Sequence, residues 1–404
     1  MKFESRRMIF RIVGLVVVGL LSIASANGQA ESQRSHKTPT GQKPLMAERV
    51  FKNVQVLRGI SVKEFLETMG FFAAATPFSC GTCHGYATGG SWASYADDTP
   101  MKTTTRKMIR MVYALNRTYF KGKRGVTCYS CHRNADRPEV TPSLAELYGT
   151  PDPEDPEEIP QQAPGSPSPD QVFEKYIQAL GGPEKLASLT SFVARGTYQG
   201  YDDPGKNLVE IYAKAPGQFF QVAHGYNGDT TWVDDGRSAW IAQSERDAPA
   251  PVLALTAGDL DGSHLEAELY FPTHIRQLLT SLKVGFPISG VASILSERLG
   301  VGVDDRELIV MQGITAAGNN VKLYFDENSG LLVRMVRYTK LPVGWAPTQI
   351  DFADYRDVSG IKMPFRITKT WVDGRSVIEL TSIELNVAIP AAKFERPAPP
   401  LSSN

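Results

Sequence analysis

Cys80-Gly81-Thr82-Cys83-His84 returns further along the chain as Cys128-Tyr129-Ser130-Cys131-His132, and the two pentapeptides use all four cysteines of the 404 residues. Each reads Cys-x-x-Cys-His, the attachment pattern of a c-type haem. Thiols three residues apart on one helical turn share a side, so both can form thioethers to the vinyl groups of one porphyrin. The histidine that follows then turns its imidazole toward the iron as an axial ligand. The pattern predicts two covalently bound c-type haems (iron), anchored by Cys80, Cys83, Cys128 and Cys131 and ligated by His84 and His132. Two other readings weigh less. A four-cysteine zinc site could use two Cys-x-x-Cys knuckles, but it leaves the histidine after each one unexplained. Disulfides are permitted in an oxidising compartment, with the same difficulty.

A helix precedes each motif. Ser61-Val62-Lys63-Glu64 is a capping box, with Ile60 and Phe65 as its hydrophobic staple. Val62, Phe65, Leu66, Met69 and Phe72 then recur at helical spacing, and Pro77 stops the helix near Ala75. The second helix opens at Thr99 with Pro100 in its first position and runs to about Thr118, with Met108, Met111, Val112 and Leu115 as its apolar stripe. An electron-transfer haem needs a second axial ligand. Histidines are scarce: His36 lies in a polar N-terminal stretch, and His224, His264 and His274 lie in the other half of the chain. Methionine sulfur is the better sixth ligand, and His/Met ligation raises the reduction potential. Met69, Met108 and Met111 are the candidates, although a methionine on an apolar helix face is also ordinary core filler.

Several stretches extend the motifs. They are Val50-Phe-Lys-Asn-Val-Gln-Val-Leu57, Tyr95-Ala-Asp-Asp-Thr-Pro100, Arg106-Lys-Met-Ile-Arg-Met-Val112 and Gly125-Val-Thr-Cys-Tyr-Ser-Cys-His-Arg133. Together they resemble the cytochrome c subunit of photosynthetic reaction centres, from Glu48 to Arg133. The resemblance implies haems held in helix–turn–Cys-x-x-Cys-His units, with a methionine of the preceding helix as the usual sixth ligand. Carried over, Met69 matches the ligand of the first haem. Met111 is the choice for the second, and Met108 lies on the same face three residues earlier. The reaction-centre subunits carry four haems in two tandem pairs, whereas this chain has cysteines for one pair. What the resemblance implies is a dihaem module; it does not carry over a photosynthetic role.

Forty-three Lys plus Arg balance 43 Asp plus Glu, which argues against nucleic acid as a partner. From Leu45 to Tyr148 there are 14 basic and 8 acidic residues. Four haem propionates would leave that segment weakly positive. Residues 1–26 read as a signal peptide: Lys2, Arg6 and Arg7, an apolar run from Ile12 to Ile23, and Ala24-Ser25-Ala26 for cleavage. That run is shorter than the ~20 residues of a spanning helix, and an uncleaved anchor, with the protein peripheral to the membrane, is the alternative. An exported, periplasmic location fits c-type haem, which is attached outside the cytoplasmic membrane. Residues 27–44 are polar and expected to be disordered.

Residues 45–148 form the expected cytochrome domain, and the Pro-rich stretch 149–168 reads as an extended spacer with no core to bury. In the expected second domain, 169–397, Ser168-Pro169 starts a helix that stops at Gly181-Gly182, and residues 398–404 form a tail. Nine β-like runs follow, from Phe192–Gln199 to Ser376–Leu385, interrupted by one helix over about His264–Leu282. The fold class is therefore multidomain: a small, mainly α dihaem module, then an α+β domain with a large curved antiparallel sheet or half-barrel. The opening helix, the strand–turn units and Tyr355-Arg-Asp-Val-Ser-Gly-Ile-Lys-Met-Pro364 make this half similar to the LolA/LolB-like half-barrels. That similarity implies an apolar ligand.

No nucleophile elbow, phosphate loop or metal-spaced histidine pair occurs. The acidic pairs Asp202-Asp203, Asp234-Asp235 and Asp304-Asp305 stand in turn contexts. The expected function is electron relay between redox protein partners by an exported dihaem c-type cytochrome, not an enzyme. Two rivals differ in class. A dihaem peroxidase-like oxidoreductase needs a five-coordinate iron, and an apolar-ligand or lipoprotein carrier would bear the cytochrome as a redox attachment.

Overall fold

The computed structural model describes residues 43–85, 93–141, 158–200, 205–226, 228–243, 249–288 and 307–399. The expected signal peptide, the polar stretch with His36 up to residue 42, the expected linker up to residue 157, Asp202-Asp203, Asp304-Asp305 and the expected tail from residue 400 lie outside them. All described residues belong to one compact unit.

The haem-motif segment contains α1 (Ala47–Val50), α2 (Val62–Ala75), α3 (Cys80–His84), α4 (Pro100–Tyr119) and α5 (Cys128–His132). Their ends follow from capping chemistry. Ser61 Oγ accepts from Glu64 N at 3.1 Å, and Glu64 Oε2 accepts from Ser61 N at 3.3 Å, which satisfies two orphan donors at the start of α2. Thr99 Oγ1 accepts from Lys102 N at 3.2 Å, and Pro100 occupies the first position of α4, where a missing N–H costs nothing.

The second half opens with α6 (Pro169–Leu180) and α7 (Pro183–Ser188). The strands are β1 (Ser191–Gln199), β2 (Asn207–Lys214), β3 (Gln218–Gly225), β4 (Gly228–Asp235), β5 (Ala239–Ala242) and β6 (Val252–Ala254). After the helices α8 (Ala257–Glu268) and α9 (Ile275–Leu278) come β7 (Thr280–Val284), β8 (Leu308–Ile314), β9 (Asn320–Asp326), β10 (Leu332–Leu341), β11 (Gly344–Val358), β12 (Ile361–Trp371) and β13 (Gly374–Leu385). They form one antiparallel sheet in the order β6-β5-β4-β3-β2-β1-β13-β12-β11-β10-β9-β8-β7. Two meanders thus meet at one non-local pairing, β1 with β13, and leave the short strands β6 and β7 at the edges of a curved, open sheet. The alternation along Ile361, Met363, Phe365 and Ile367, all buried, against exposed Lys362 and Arg366 shows how one face becomes core. That face packs on Val172, Phe173, Tyr176 and Leu180 of α6 and Leu265 of α8.

Two expectations are corrected. The helix read over His264–Leu282 is instead α8, a 3₁₀ turn at Pro272–His274, α9 and then β7. Pro272 cannot continue a helix, and the run from Thr280 to Val284 pairs with β8. Asp234-Asp235 does close a turn, with Gly236 N donating to Asp234 Oδ1 and Arg237 N to Asp235 Oδ1, and Asp234 is in addition buried and accepts from His264 Nδ1 and Ser263 Oγ. Residues 158–168 are not a spacer without a core. Ile159 is 3% exposed among Leu308, Val310, Tyr324 and Val336. Ala163 N donates to Val284 O at 2.9 Å, so this stretch covers the open edge at β7.

The haem-motif segment docks on the turn between β10 and β11. Leu57, Phe71 and Ile109 share one buried cluster with Leu341, Val343 and Ala346. Arg124 donates to the Gly344 carbonyl at 3.3 Å and lies 5.7 Å from the Trp345 ring centre.

Candidate haem-binding site

Each Cys-x-x-Cys-His motif forms a single helical turn, α3 and α5, so its two thiols lie on neighbouring positions of one face. Thr127 and Ser130 build a capping box inside the second motif. All four thiols are free; Cys80 and Cys131 are exposed, and Cys83 and Cys128 are half-buried. Burial pushes the Cys128 thiol up to about 11 and raises Cys83 as well. Among the described residues no group of three or more His, Cys, Asp and Glu side chains gathers as a metal cage.

Both histidines are oriented by backbone. His84 Nδ1 lies 3.0 Å from the Tyr95 carbonyl, and His132 Nδ1 lies 3.1 Å from the Ala135 carbonyl. A carbonyl oxygen only accepts, so each Nδ1 carries the proton and each Nε2 is left with its lone pair. That tautomer is the one a metal-binding imidazole needs. Burial lowers the His84 pKa against the opposing Tyr95 hydrogen bond, which favours the neutral ring. Lys102 Nζ also donates to the Tyr95 carbonyl at 2.7 Å. Asn53 holds the same loop through Ala96 O and Asp98, and Asp98 pairs with Arg106 at 2.7 Å.

The two motifs are cross-packed. α3 lies against α4, with Thr99 Oγ1 donating to the Cys83 carbonyl at 2.7 Å. α5 lies against α2, with Asn134 N donating to the Ala75 carbonyl at 3.0 Å. Met69 and Cys128 pack on the same hydrophobic cluster. On α4 the stripe read from sequence splits. Ile109, Val112 and Asn116 turn inward, while Met108 is 39% and Met111 46% exposed. With Tyr95, Tyr113 and Tyr129 they make an exposed group of large apolar side chains around the motifs, the kind of surface that receives a bulky apolar ligand. Paired thiols on one turn, imidazoles with a free Nε2 and apolar surface beside them fit covalent haem.

Asn116 escapes motif reading. Its Oδ1 accepts from Gly125 N and Val126 N at 2.9 and 3.0 Å, and its Nδ2 donates to Val126 O at 2.8 Å, clamping the loop into α5. The available signal was a polar residue at helical spacing from Ile109 and Val112. Tyr95 and Ala135 act through their carbonyls and leave none.

Residues 9–153 match the sequence model of a family described as the photosynthetic reaction centre cytochrome C subunit. The haem-motif segment resembles this family. The photosynthetic reaction center cytochrome c subunit of Thermochromatium tepidum is 41% identical over 99 residues, which are 23% of this chain and 23% of that protein. That of Rubrivivax gelatinosus is 32% identical over 120 residues, 26% of this chain and 31% of the relative. The chain thus spans less than a third of the length of these relatives. Among solved structures, a LolA superfamily protein of Nitrosomonas europaea is similar at 12% identity and a TM-score of 0.36, over 57% of this chain and 98% of that one. A DUF1329 family protein of Desulfovibrio piger is similar at 10% identity and a TM-score of 0.37, over 56% and 96%.

The other histidines each meet a carboxylate: His224 with Asp229 at 2.9 Å, His264 with Asp234 and His274 with Glu268 at 3.2 Å. Among the described residues no helix is long and apolar enough to cross a membrane.

Proposed function

We propose that this chain is an exported, periplasmic dihaem c-type cytochrome that relays single electrons between protein redox partners. The observation that carries the reading is the pair of one-turn Cys-x-x-Cys-His helices whose histidines both have Nδ1 tied to a carbonyl. Cys80 and Cys83 anchor one haem and Cys128 and Cys131 the other. His84 and His132 are the fifth ligands, Met69 the sixth ligand of the first haem and Met111 that of the second. Bound haem supplies one-electron redox chemistry, and the protein sets its potential through ligand, burial and hydrogen bonding. Tyr95 and Ala135 hold the imidazoles in the metal-binding tautomer, while Asn116, Thr99 and Asn134 fix the turns that carry the thiols. Residues 1–26 would direct export. Residues 45–148 and 169–397 would be the two domains, with 158–168 packed on the second.

A pyridine haemochrome assay on the exported protein tests this reading. Two covalent haems per chain are expected, falling to one in Cys80→Ser/Cys83→Ser and to one in Cys128→Ser/Cys131→Ser. A wild-type chain without covalent haem would overturn it. A high-spin ferric signal with peroxide turnover would favour the peroxidase-like rival.

A further inference from the structure

The helix before the second motif carries charge of one sign. From Thr99 to Ala135 the chain has nine Lys and Arg residues and no Asp or Glu. Three of the nine are engaged by the fold. Arg106 pairs with Asp98, Lys102 donates to the Tyr95 and Asp97 carbonyls, and Arg124 reaches the Gly344 carbonyl and the Trp345 ring. Lys107, Arg110, Arg117, Lys121 and Lys123 are exposed and make no ion pair among the described residues.

These free cations share a surface. Lys107, Arg110 and Arg117 recur at spacings of three and seven residues, which puts them on one side of α4, and Lys121 and Lys123 follow in the loop toward α5. Exposed Thr103, Ala114 and Thr118 lie between them, so short side chains leave the stripe open to close approach. The opposite side of the helix, with Ile109, Val112 and Asn116, is buried. α4 also touches both motif turns, α3 and α5. A molecule seated on its outer side therefore stands about one helix diameter, 10 Å, from either turn.

We propose that this outer face of α4 docks an acidic redox protein, which exchanges one electron with a haem on the adjoining turns. Such docking presupposes the dihaem relay and so rests on that reading. Opposite charge steers the encounter and fixes its orientation more than it adds affinity, which suits a partner that must leave again. In the exchange one electron passes from ferrous haem to the partner's oxidised metal centre, or the reverse, and no proton or group moves. An anionic membrane fits the face less well. A helix lying in the interface turns a large apolar side to the lipid, and the apolar side of α4 is already packed within the protein.

Stopped-flow mixing of the full, haem-loaded chain, reduced and desalted, with oxidised plant plastocyanin, an acidic blue-copper protein, tests the proposal. Basic mitochondrial cytochrome c is the control acceptor. The rate constant to plastocyanin should fall about tenfold between roughly 10 and 300 mM salt, and that to cytochrome c should rise or stay level. Lys107→Glu/Arg117→Glu should slow plastocyanin about tenfold at low salt. Lys185→Glu/Lys362→Glu, an equal charge change at exposed residues of the other half, should leave its rate within about twofold. Unchanged haem spectra confirm that each variant is folded and ligated. A two-haem chain whose plastocyanin rate ignores both salt and Lys107→Glu/Arg117→Glu would overturn the docking face and leave the relay standing. A chain without covalent haem would overturn both. Sedimentation with phosphatidylglycerol vesicles, lost in Lys107→Glu/Arg117→Glu while the plastocyanin rate is unchanged, would give the face to a membrane instead. Salt dependence that emerges only after Asp152→Asn/Glu154→Gln/Asp155→Asn/Glu157→Gln would give it to the chain's own acidic stretch.

Discussion

The ring of Phe71, on the helix before the first haem motif, lies directly on the backbone of Gly344 at the start of β11, where a Cβ would fall inside the ring's van der Waals envelope. Gly70, one residue earlier, meets the Asp373 carboxylate in the same way. The helix before the first motif therefore seats on the sheet because two glycines leave room. Gly344→Val fills that room. Overpacking of this kind destabilises by roughly 1–3 kcal/mol. In guanidinium titrations, haem absorbance and tryptophan fluorescence should report one transition in wild type. In the variant the haem transition should come first; coincident, unshifted curves would show the seat to be dispensable.

Met69→Ala should abolish the far-red thioether–iron band of one haem and lower its potential, since His/Met ligation raises it. Met111→Ala should do the same at the second haem and Met108→Ala should not. The reverse result would move the second ligand one turn back along α4.

Asn116 satisfies three backbone groups and is only 9% exposed. Asn116→Ala leaves them without partners at the entry to α5, and should destabilise by about 2–3 kcal/mol. Reduced haem content at Cys128 and Cys131, measured by haemochrome on the purified variant, is the second expected outcome. Normal stability with two haems would remove Asn116 from the site.

The Asp259 carboxyl is pushed up to about 6 from its ordinary value of 3.8, chiefly by burial, with Lys63 and Arg337 opposing and Glu67 adding to the rise. A carboxyl that binds its proton more tightly when folded stabilises at low pH, and that contribution is lost as pH climbs from about 4 to about 6. Asp259→Asn removes the titration. The variant should match wild type near pH 4 and exceed it by on the order of 2–3 kcal/mol at pH 7. Denaturant unfolding across that range would show it, and parallel curves would contradict the burial argument.

Much of this was legible in local sequence. Ser61, Thr99 and Ser168 each cap the helix expected after them, and Gly181 and Pro77 stop two of the three. Alternation in Ile361–Trp371 marked a strand with one buried face. Reading failed where long-range packing decided. The pattern around His264–Leu282 has helical spacing, but Pro272 and pairing with β8 break it. Prolines in 158–168 suggested a spacer, and Ile159 instead found a pocket on the far side of the sequence.

By itself, the sequence determined the two Cys-x-x-Cys-His turns, the helix before each, the methionines available to them and the meandering strands. These depend on neighbours within a few residues, whose spacing is set by helical and strand periodicity. Only the tertiary structure decided what each motif packs against. It placed α3 against α4 and α5 against α2, tied both histidines to carbonyls, and seated Phe71 on Gly344. Carbonyl positions and glycine-sized gaps carry no side-chain signature, so they exist only once the chain has closed its long loops.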